Sequence, residues 1–276
     1  MKAVMKSLIP LLVVASAVAA VDVQKRVLNA VDCPKSDGQH YVVLRRRTSP
    51  YEEFCGGNLI SQEWVLTAAH CNIGEFDVAL GDHATDVEEE MTISKTSQKH
   101  IFHDGSVLHD IMLIKLPRKP SPALPVIKLP TADQCNRFKF DADYTIMGWS
   151  FTDVDQNTKK KNQKKAVNLQ CGEATMDQNC EQDPDVSSKY KKKHCLCSQD
   201  VMPCNSCSND VPCGNCPTKK PCEACPGDSG GSLVKKSDGV LYGVTVATTR
   251  TPSGFTVYMK VCSYMKWIRD KTGIKE

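Results

Sequence analysis

The 276-residue sequence lacks several features that would assign it to familiar classes of protein. After the first twenty residues, no stretch approaches the roughly 20 consecutive apolar residues that a membrane helix needs, so we expect no membrane span. The net charge of +3 is too small to indicate a nucleic-acid partner. No Asn-x-Ser/Thr triplet is present, which excludes N-linked glycosylation at that motif.

The first residues have the pattern of a cleaved secretory signal. Lys2 and Lys6 precede an apolar run that is too short to span a bilayer, and small residues follow it up to Ala20. We therefore expect residues 1–20 to be a signal peptide and the remainder to be secreted to the extracellular space. Residues 21–26 then form a short polar propeptide that ends in a dibasic pair, and residues 27–276 form the exported domain.

Fifteen cysteines in an exported chain indicate disulfide bonds, and the odd number leaves at least one sulfur free or bonded to another molecule. Residues 202–225 repeat the pattern Pro-Cys-x-x-Cys three times at intervals of nine residues. This insert is nearly devoid of large apolar groups and cannot build a core, so crosslinks or a metal must hold it. Disulfides are the favoured interpretation, thiolate-bound zinc is the alternative, and redox exchange lacks its usual βαβ context.

Many short segments rich in Val, Ile, Leu and Thr are separated by Gly, Pro and Asp, which predicts an all-β barrel or sandwich. Examples are QHYVVLRR, NLISQEWVLTAA, FDVALG, IMLIKL, YTIMGW and VLYGVTVAT. The tail YMKWIRDKTG predicts a helix, because Tyr264, Trp267 and Ile268 share one face at helical spacing. Gly273 is expected to end this helix.

Three blocks carry residue types suited to nucleophilic catalysis. They are His70 in VLTAAHC, Asp110 before IMLIKL, and Ser229 in GDSGG. A serine hydroxyl needs a base within hydrogen-bond reach and a third group that orients the base. Each residue alone has a structural explanation, as a packed histidine, a strand-end charge and a turn residue.

Taken together and in this chain order, the three blocks resemble the chymotrypsin/trypsin-like serine proteases. The segments CGGNLISQEW, LGDH, IMGW and VYMKVCSYMKWI extend the resemblance from about Val27 to the C-terminus, with the cysteine repeat as an interruption. The resemblance implies two packed six-stranded antiparallel β-barrels with a C-terminal helix. It also implies a nucleophile at Ser229, a base at His70, and a carboxylate at Asp110 that orients the imidazole.

The same resemblance implies an oxyanion hole formed by the backbone N–H groups of Gly227 and Ser229. Cleavage after Arg26 would expose Val27, whose new ammonium group would pair with Asp228 and switch the enzyme on. The family's glycine-rich start is replaced here by Val-Leu-Asn-Ala.

Glu223 corresponds to the base of the specificity pocket, which implies cleavage after Lys or Arg. Three residues of the pocket wall depart from the family pattern: Val246, Thr248 and Thr256. These substitutions predict a narrowed pocket, and with it an altered specificity. The alternative interpretation is a catalytically impaired homologue that acts as a binding protein.

Family matching also implies disulfide pairs, namely Cys55–Cys71, Cys33–Cys171, Cys135–Cys262, and Cys180 with either Cys197 or Cys195. A further bridge of many relatives is missing at both ends, since Tyr144 and Lys235 stand where its cysteines would be. Cys225 corresponds to a family cysteine whose usual partner lies near residue 250, but no cysteine stands between Cys225 and Cys262, so the resemblance implies that Cys225 pairs within the insert.

The expected partners are protein or peptide substrates, an activating protease and serine protease inhibitors, and the enzyme is expected to act as a monomer without a cofactor. Lysine runs at residues 159–165 and 189–193 are either an exosite for polyanions or solvated surface loops. His100, His103 and His109 have no counterpart that we identify in the family, and we interpret them as surface histidines, with a metal role as the alternative. The acidic stretch at residues 82–90 is shorter than the calcium loop of some relatives, and no metal is assigned.

Overall fold

The structure is a computed structural model that describes residues 31–48, 52–81, 83, 89–149, 168–190, 193–199, 228–248 and 255–275. Several predictions fall outside these residues: the signal peptide, the propeptide with Arg26, Val27, Gly227, and the cysteine insert with Glu223.

Short β-strands with turns between them dominate the described residues, as the punctuated sequence predicts. The strands are β1 (Val31–Asp32), β2 (Tyr41–Arg46), β3 (Glu52–Ser61), β4 (Trp64–Thr67), β5 (Phe76–Leu80), β6 (Glu89–Ile93), β7 (Lys99–Asp104), β8 (Val107–Lys115), β9 (Tyr144–Gly148), β10 (Gln170–Ala174), β11 (Met176–Asp177), β12 (Cys195–Gln199), β13 (Ser232–Lys235), β14 (Val240–Thr248) and β15 (Phe255–Lys260). The α-helices are α1 (Ala132–Asn136), α2 (Pro184–Ser187) and α3 (Met265–Thr272). None of the described helices is long and apolar enough to cross a membrane.

The strands form two antiparallel sheets. The first sheet has the order β6-β5-β2-β3-β4-β8-β7, and the second has the order β1-β10-β9-β13-β14-β15-β12-β11. Strands β6 and β7 lie at opposite ends of the first sheet although only residues 94–98 connect them. Five residues reach no further than about 17 Å, so the sheet must curl back on itself. In the second sheet, β10 and β11 require the same curl because a single residue separates them.

The predicted all-β fold with two curled sheets and a C-terminal helix is confirmed, but the strand count differs from two sets of six. The described residues form seven strands in the first sheet and eight in the second. A hydrogen-bonded turn from Ser94 to Ser97 separates β6 from β7, and so adds a strand to the first sheet. In the second sheet, the two-residue strands β1 and β11 lengthen the edges.

The C-terminal helix agrees with its sequence pattern. Helix α3 buries Met265 and Ile268, and Tyr264 just before it is completely buried. Gly273 ends the helix with φ of 73°, a left-handed conformation that glycine adopts without a steric penalty, and its N–H donates to the Arg269 carbonyl oxygen.

Four disulfides hold the described fold together: Cys33–Cys171, Cys55–Cys71, Cys135–Cys262 and Cys180–Cys197. They are the pairs that the resemblance implies. Of the two alternatives for Cys180, the structure has the bond to Cys197, and Cys195 is buried outside these four disulfides. The positions of the missing bridge, Tyr144 and Lys235, face each other directly across β9 and β13.

Candidate active site

A histidine and a carboxylate form the centre of the candidate site. Nδ1 of His70 lies 2.8 Å from Oδ2 of Asp110, and the backbone N–H of His70 donates to Oδ1 at 2.9 Å. Both carboxylate oxygens therefore hold the same residue, which fixes the orientation of the imidazole relative to its own backbone. The His70 side chain is 44% exposed, so the ring is accessible to a reactant.

Strand pairing in the first sheet positions these two residues. His70 lies in a 3₁₀ turn, Ala69–Cys71, immediately after β4, and Asp110 lies on β8, which pairs with β4. Between β7 and β8, Ile101 pairs with Met112 while His103 pairs with Leu108. Residues 109–111 of β8 therefore face residue 102 alone. Such bulges are common beside active sites because they redirect a side chain out of the regular ladder.

Ser229 lies in a tight turn that is held between the two sheets. Its carbonyl oxygen accepts a hydrogen bond from the N–H of Gly56 on β3 at 2.7 Å. The next residue, Gly230, donates its N–H to the carbonyl oxygen of Thr245 on β14, also at 2.7 Å. One hydrogen bond joins the turn to each sheet, so the position of this turn depends on how the sheets pack against each other.

Glycine is required at position 230. Its φ is 85°, and a Cβ built there would lie 2.1 Å from the carbonyl oxygen of Gly56 and 2.3 Å from Oγ1 of Thr67. Thr67 donates that hydroxyl to the same Gly56 carbonyl at 2.7 Å, so neither neighbour can move away freely. The GDSGG pattern thus contains a glycine that the turn needs for steric reasons.

The disulfide Cys55–Cys71 lies beside both halves of the site. A ring nitrogen of His70 is within 4.8 Å of Sγ of Cys71, and the carbonyl oxygen of Ser229 is 3.8 Å from the same sulfur. The His70–Asp110 pair and the backbone of Ser229 therefore both lie beside this disulfide. The two sulfurs are bonded to each other, so these cysteines and His70 do not form a metal site.

A buried chain of hydrogen bonds supports the Ser229 turn. Nε2 of His40 lies 3.0 Å from Oγ of Ser232, which donates its proton to Oδ1 of Asn58 at 2.6 Å. Nδ2 of Asn58 in turn donates to the carbonyl oxygen of Gly230 at 2.9 Å. The Ser232 hydroxyl has a single proton and gives it to Asn58, so His40 must carry its proton on Nε2.

This second Ser–His pair is structural, because Ser232 is completely buried and His40 nearly so. Burial lowers the pKa of His40 from 6.5 to about 4, with a smaller contribution from the nearby charge of His83. His40 is therefore neutral at pH 7. His40, Ser232 and Asn58 were not among the predicted site residues: Asn58 lies in the CGGNLISQEW segment and Ser232 follows the Gly-Gly pair, but neither position signals a buried hydrogen bond to the other.

The structure describes only some of the remaining predicted site residues. Asp228 is completely buried, and it packs so closely on Gly148 that a Cβ at that glycine would lie 2.0 Å from Oδ1 of the carboxylate. Val246 on β14 is buried, and Thr256 on β15 is completely buried, where it pairs with Thr248. Gly227, Glu223, Arg26 and Val27 lie outside the described residues.

Sequence comparison tests the resemblance directly. A model of the family described as Trypsin matches residues 28–268 of the chain. The chain belongs to the trypsin family. Its trypsin-like fold and relatives make it a serine endopeptidase, that is, a hydrolase of peptide bonds.

Several curated members of the trypsin family are similar to this chain over most of its length. Trypsin II-P29 of Gallus gallus is 29% identical over 254 residues, which cover 89% of this chain and 88% of that protein. Kallikrein-8 of Rattus norvegicus is 30% identical over 234 residues, covering 80% of this chain and 78% of its own. A solved structure, neuropsin, described as a serine protease expressed in the limbic system of mouse brain, has a TM-score of 0.63 at 27% identity and covers 88% of this chain and 98% of its own.

Proposed function

We propose that the protein is a secreted endopeptidase that hydrolyses peptide bonds through Ser229, His70 and Asp110. The observation that carries the proposal is the double contact of Asp110 with the ring and the backbone N–H of His70, beside the turn that holds Ser229. A carboxylate in this position stabilises the imidazolium and selects the tautomer with its proton on Nδ1. Nε2 of His70 is then the nitrogen that exchanges protons with the reactants.

In the proposed reaction, Oγ of Ser229 attacks the scissile carbonyl carbon while its proton moves to Nε2 of His70. The carbonyl oxygen becomes an oxyanion, which the backbone N–H groups of Ser229 and Gly227 would stabilise. The tetrahedral intermediate collapses to an acyl-enzyme as His70 gives its proton to the departing amine. Water then repeats the sequence, with His70 again as the base, and releases the acid product and the free serine.

The protein is proposed to be made as a zymogen that is cleaved after Arg26. The complete burial of Asp228 supports this step, because a carboxylate in a low-dielectric site is stabilised by a cation such as the new ammonium group of Val27. The residue that follows Asp228 is the proposed nucleophile. A shift of Asp228 on activation would therefore move the N–H of Ser229, which is one of the proposed oxyanion donors.

For specificity, we propose cleavage after basic residues, with Glu223 as the recognition group. The buried positions of Val246 and Thr256 are consistent with a pocket that is narrower than usual. Protein or peptide substrates, an activating protease and serine protease inhibitors are the proposed partners. A peptide-library cleavage profile of the activated enzyme tests the preference, and cleavage confined to sites after uncharged residues would contradict it.

A fluorophosphonate probe tests the proposed mechanism, because it reacts covalently with an activated serine. The Arg26-cleaved protein should be labelled, and Ser229→Ala should lose the label together with peptidase activity. Ser232→Ala should keep the label, since that serine is inaccessible. Labelling at any serine other than Ser229, or none in a correctly folded and cleaved sample, would contradict the proposal, and the second result would favour the alternative of a binding protein.

A further inference from the structure

We propose that Asp104, His109 and His194 form a binding site for a divalent transition metal such as zinc, next to the catalytic carboxylate. One ring nitrogen of each histidine and one carboxylate oxygen of Asp104 lie within 4.8 Å of one another. These three residues are called the His-His-Asp cluster below. Metal binding at this cluster would be a function in addition to peptide hydrolysis.

The tertiary structure, not the local sequence, assembles the His-His-Asp cluster. Asp104 ends β7 and His109 lies on the paired strand β8, while His194 comes from the second sheet, just before β12. The two imidazole rings meet edge to face with centroids 4.4 Å apart. Both histidines are more than nine-tenths buried, so the interpretation of His109 as a surface histidine is wrong, and Asp104 is exposed at the rim. Two buried nitrogen ligands with an oxygen ligand at the entrance form a partial coordination shell.

A hydrogen bond to Tyr264 suits His109 to bind a metal. Its Nδ1 lies 2.9 Å from the hydroxyl oxygen of Tyr264. When Nδ1–H donates to Tyr264, the lone pair is on Nε2, where a metal can accept it. Ligating histidines usually have such a partner on the other nitrogen, because it fixes the tautomer and the ring orientation.

The ligand set selects the metal. Two imidazoles and one carboxylate suit zinc and its neighbours in the first transition row, whereas calcium requires six to eight oxygen ligands. Zinc bonds of about 2.1 Å in a tetrahedron bring ligand atoms to about 3.4 Å from one another, so the cluster must contract slightly. Asp104 is exposed and able to move, and its contact with Lys193 at 3.9 Å is a weak surface pair that the metal would replace.

A pocket gives the metal access to the cluster and connects it with catalysis. The pocket has a volume of about 260 Å³ and is lined by His109, Asp110, Tyr190 and His194, among others. Asp110 directly follows His109 on β8, at the bulge described above. A metal that binds both His109 and His194 would link β8 to the second sheet. It would thereby restrict the movement of the backbone at Asp110, and with it the position of the Asp110 carboxylate. We therefore expect zinc to inhibit peptide hydrolysis, an effect that depends on the proposed function, whereas binding itself does not.

Calorimetric titration with zinc chloride tests the site on the full secreted chain with Ser229→Ala, which prevents self-digestion. We expect one zinc ion per chain at this site, with a dissociation constant in the range of about 1–10 µM. Asp104→Ala and His194→Asn should each weaken it at least about tenfold, since each removes one of three protein ligands. His103→Ala is the matched control, because this exposed histidine lies one residue before Asp104, and it should leave the affinity unchanged.

Equal zinc affinity in all of these proteins, or no binding by the parent chain, would overturn the proposed site. Asp104→Ala keeps the test valid if His194→Asn fails to fold, because Asp104 is exposed. Circular dichroism in the absence of metal checks folding. Zinc titration of the activated enzyme then tests inhibition: a drop in kcat that disappears in Asp104→Ala supports the coupling, and binding without any change in kcat overturns the coupling alone.

Discussion

Replacement of the buried His40 should make the protein more resistant to mild acid. The pKa of His40 falls from 6.5 to about 4 in the folded state because the ring is buried, with the charge of His83 as the smaller cause. Below pH 6.5 the unfolded chain binds a proton at this residue and the folded chain does not, so stability is lost as the pH falls from 6.5 towards 4. The full effect is about 3 kcal/mol by the linkage relation, and about 2 kcal/mol of it is lost between pH 7.5 and pH 5.

The assay is urea unfolding at pH 7.5 and pH 5, carried out on the Ser229→Ala protein and on the same protein with His40→Gln. Glutamine does not titrate and keeps an N–H donor for Ser232, so the loss of stability on acidification should shrink by about 2 kcal/mol. His103→Gln, at an exposed position, is the control and should behave like the parent. Equal losses in the parent and in His40→Gln would refute the reasoning. An NMR titration of the His40 ring with a midpoint near 6.5 would refute it independently.

Three further predictions concern the site and its supports. Asp110→Asn should lower kcat by about 10⁴-fold in steady-state peptide assays, because the amide selects the wrong tautomer of His70. Gly230→Ala should abolish activity and lower the thermal midpoint, since its Cβ would meet the Gly56 carbonyl oxygen at 2.1 Å; wild-type kcat would contradict the steric argument. Removal of the Cys135–Cys262 bridge by paired serine substitutions should lower the free energy of unfolding in urea by up to about 5 kcal/mol, because the cysteines are 127 residues apart.

The sequence predicts those features that depend on local patterns or on a shared motif. The apolar segments around Val78, Ile114 and Ile146 became strands, and the helix that ends at Gly273 follows from helical spacing and a glycine stop signal. Matching to the family also placed Tyr144 and Lys235 opposite each other, which requires the correct register of two strands far apart in sequence. Motifs fix such registers because they anchor both strands to known positions.

Contacts between residues far apart in sequence, and a turn without Gly or Pro, could not be predicted. The splitting of β6 from β7 depends on a serine-rich turn around Ser94, which contains neither Gly nor Pro. The chain of hydrogen bonds from His40 to Gly230 joins residues up to 192 positions apart, and each of them alone is an ordinary polar residue. The sequence showed His109, but its proximity to His194 required the packing of one sheet on the other.

The arrangement of the two sheets explains why residues far from the chemistry matter for it. Asp110 lies on the first sheet and His70 in the turn that follows β4 of that sheet, while hydrogen bonds to both sheets hold the Ser229 turn. The His40 chain adds a neutral, fully buried connection from the first sheet to Gly230, directly beside Ser229. A charge on His40 would place an unpaired cation in that connection, which costs more than the hydrogen bonds return. We therefore expect the sheets to separate first at the proposed triad, so that acid disrupts the site before it disrupts either sheet.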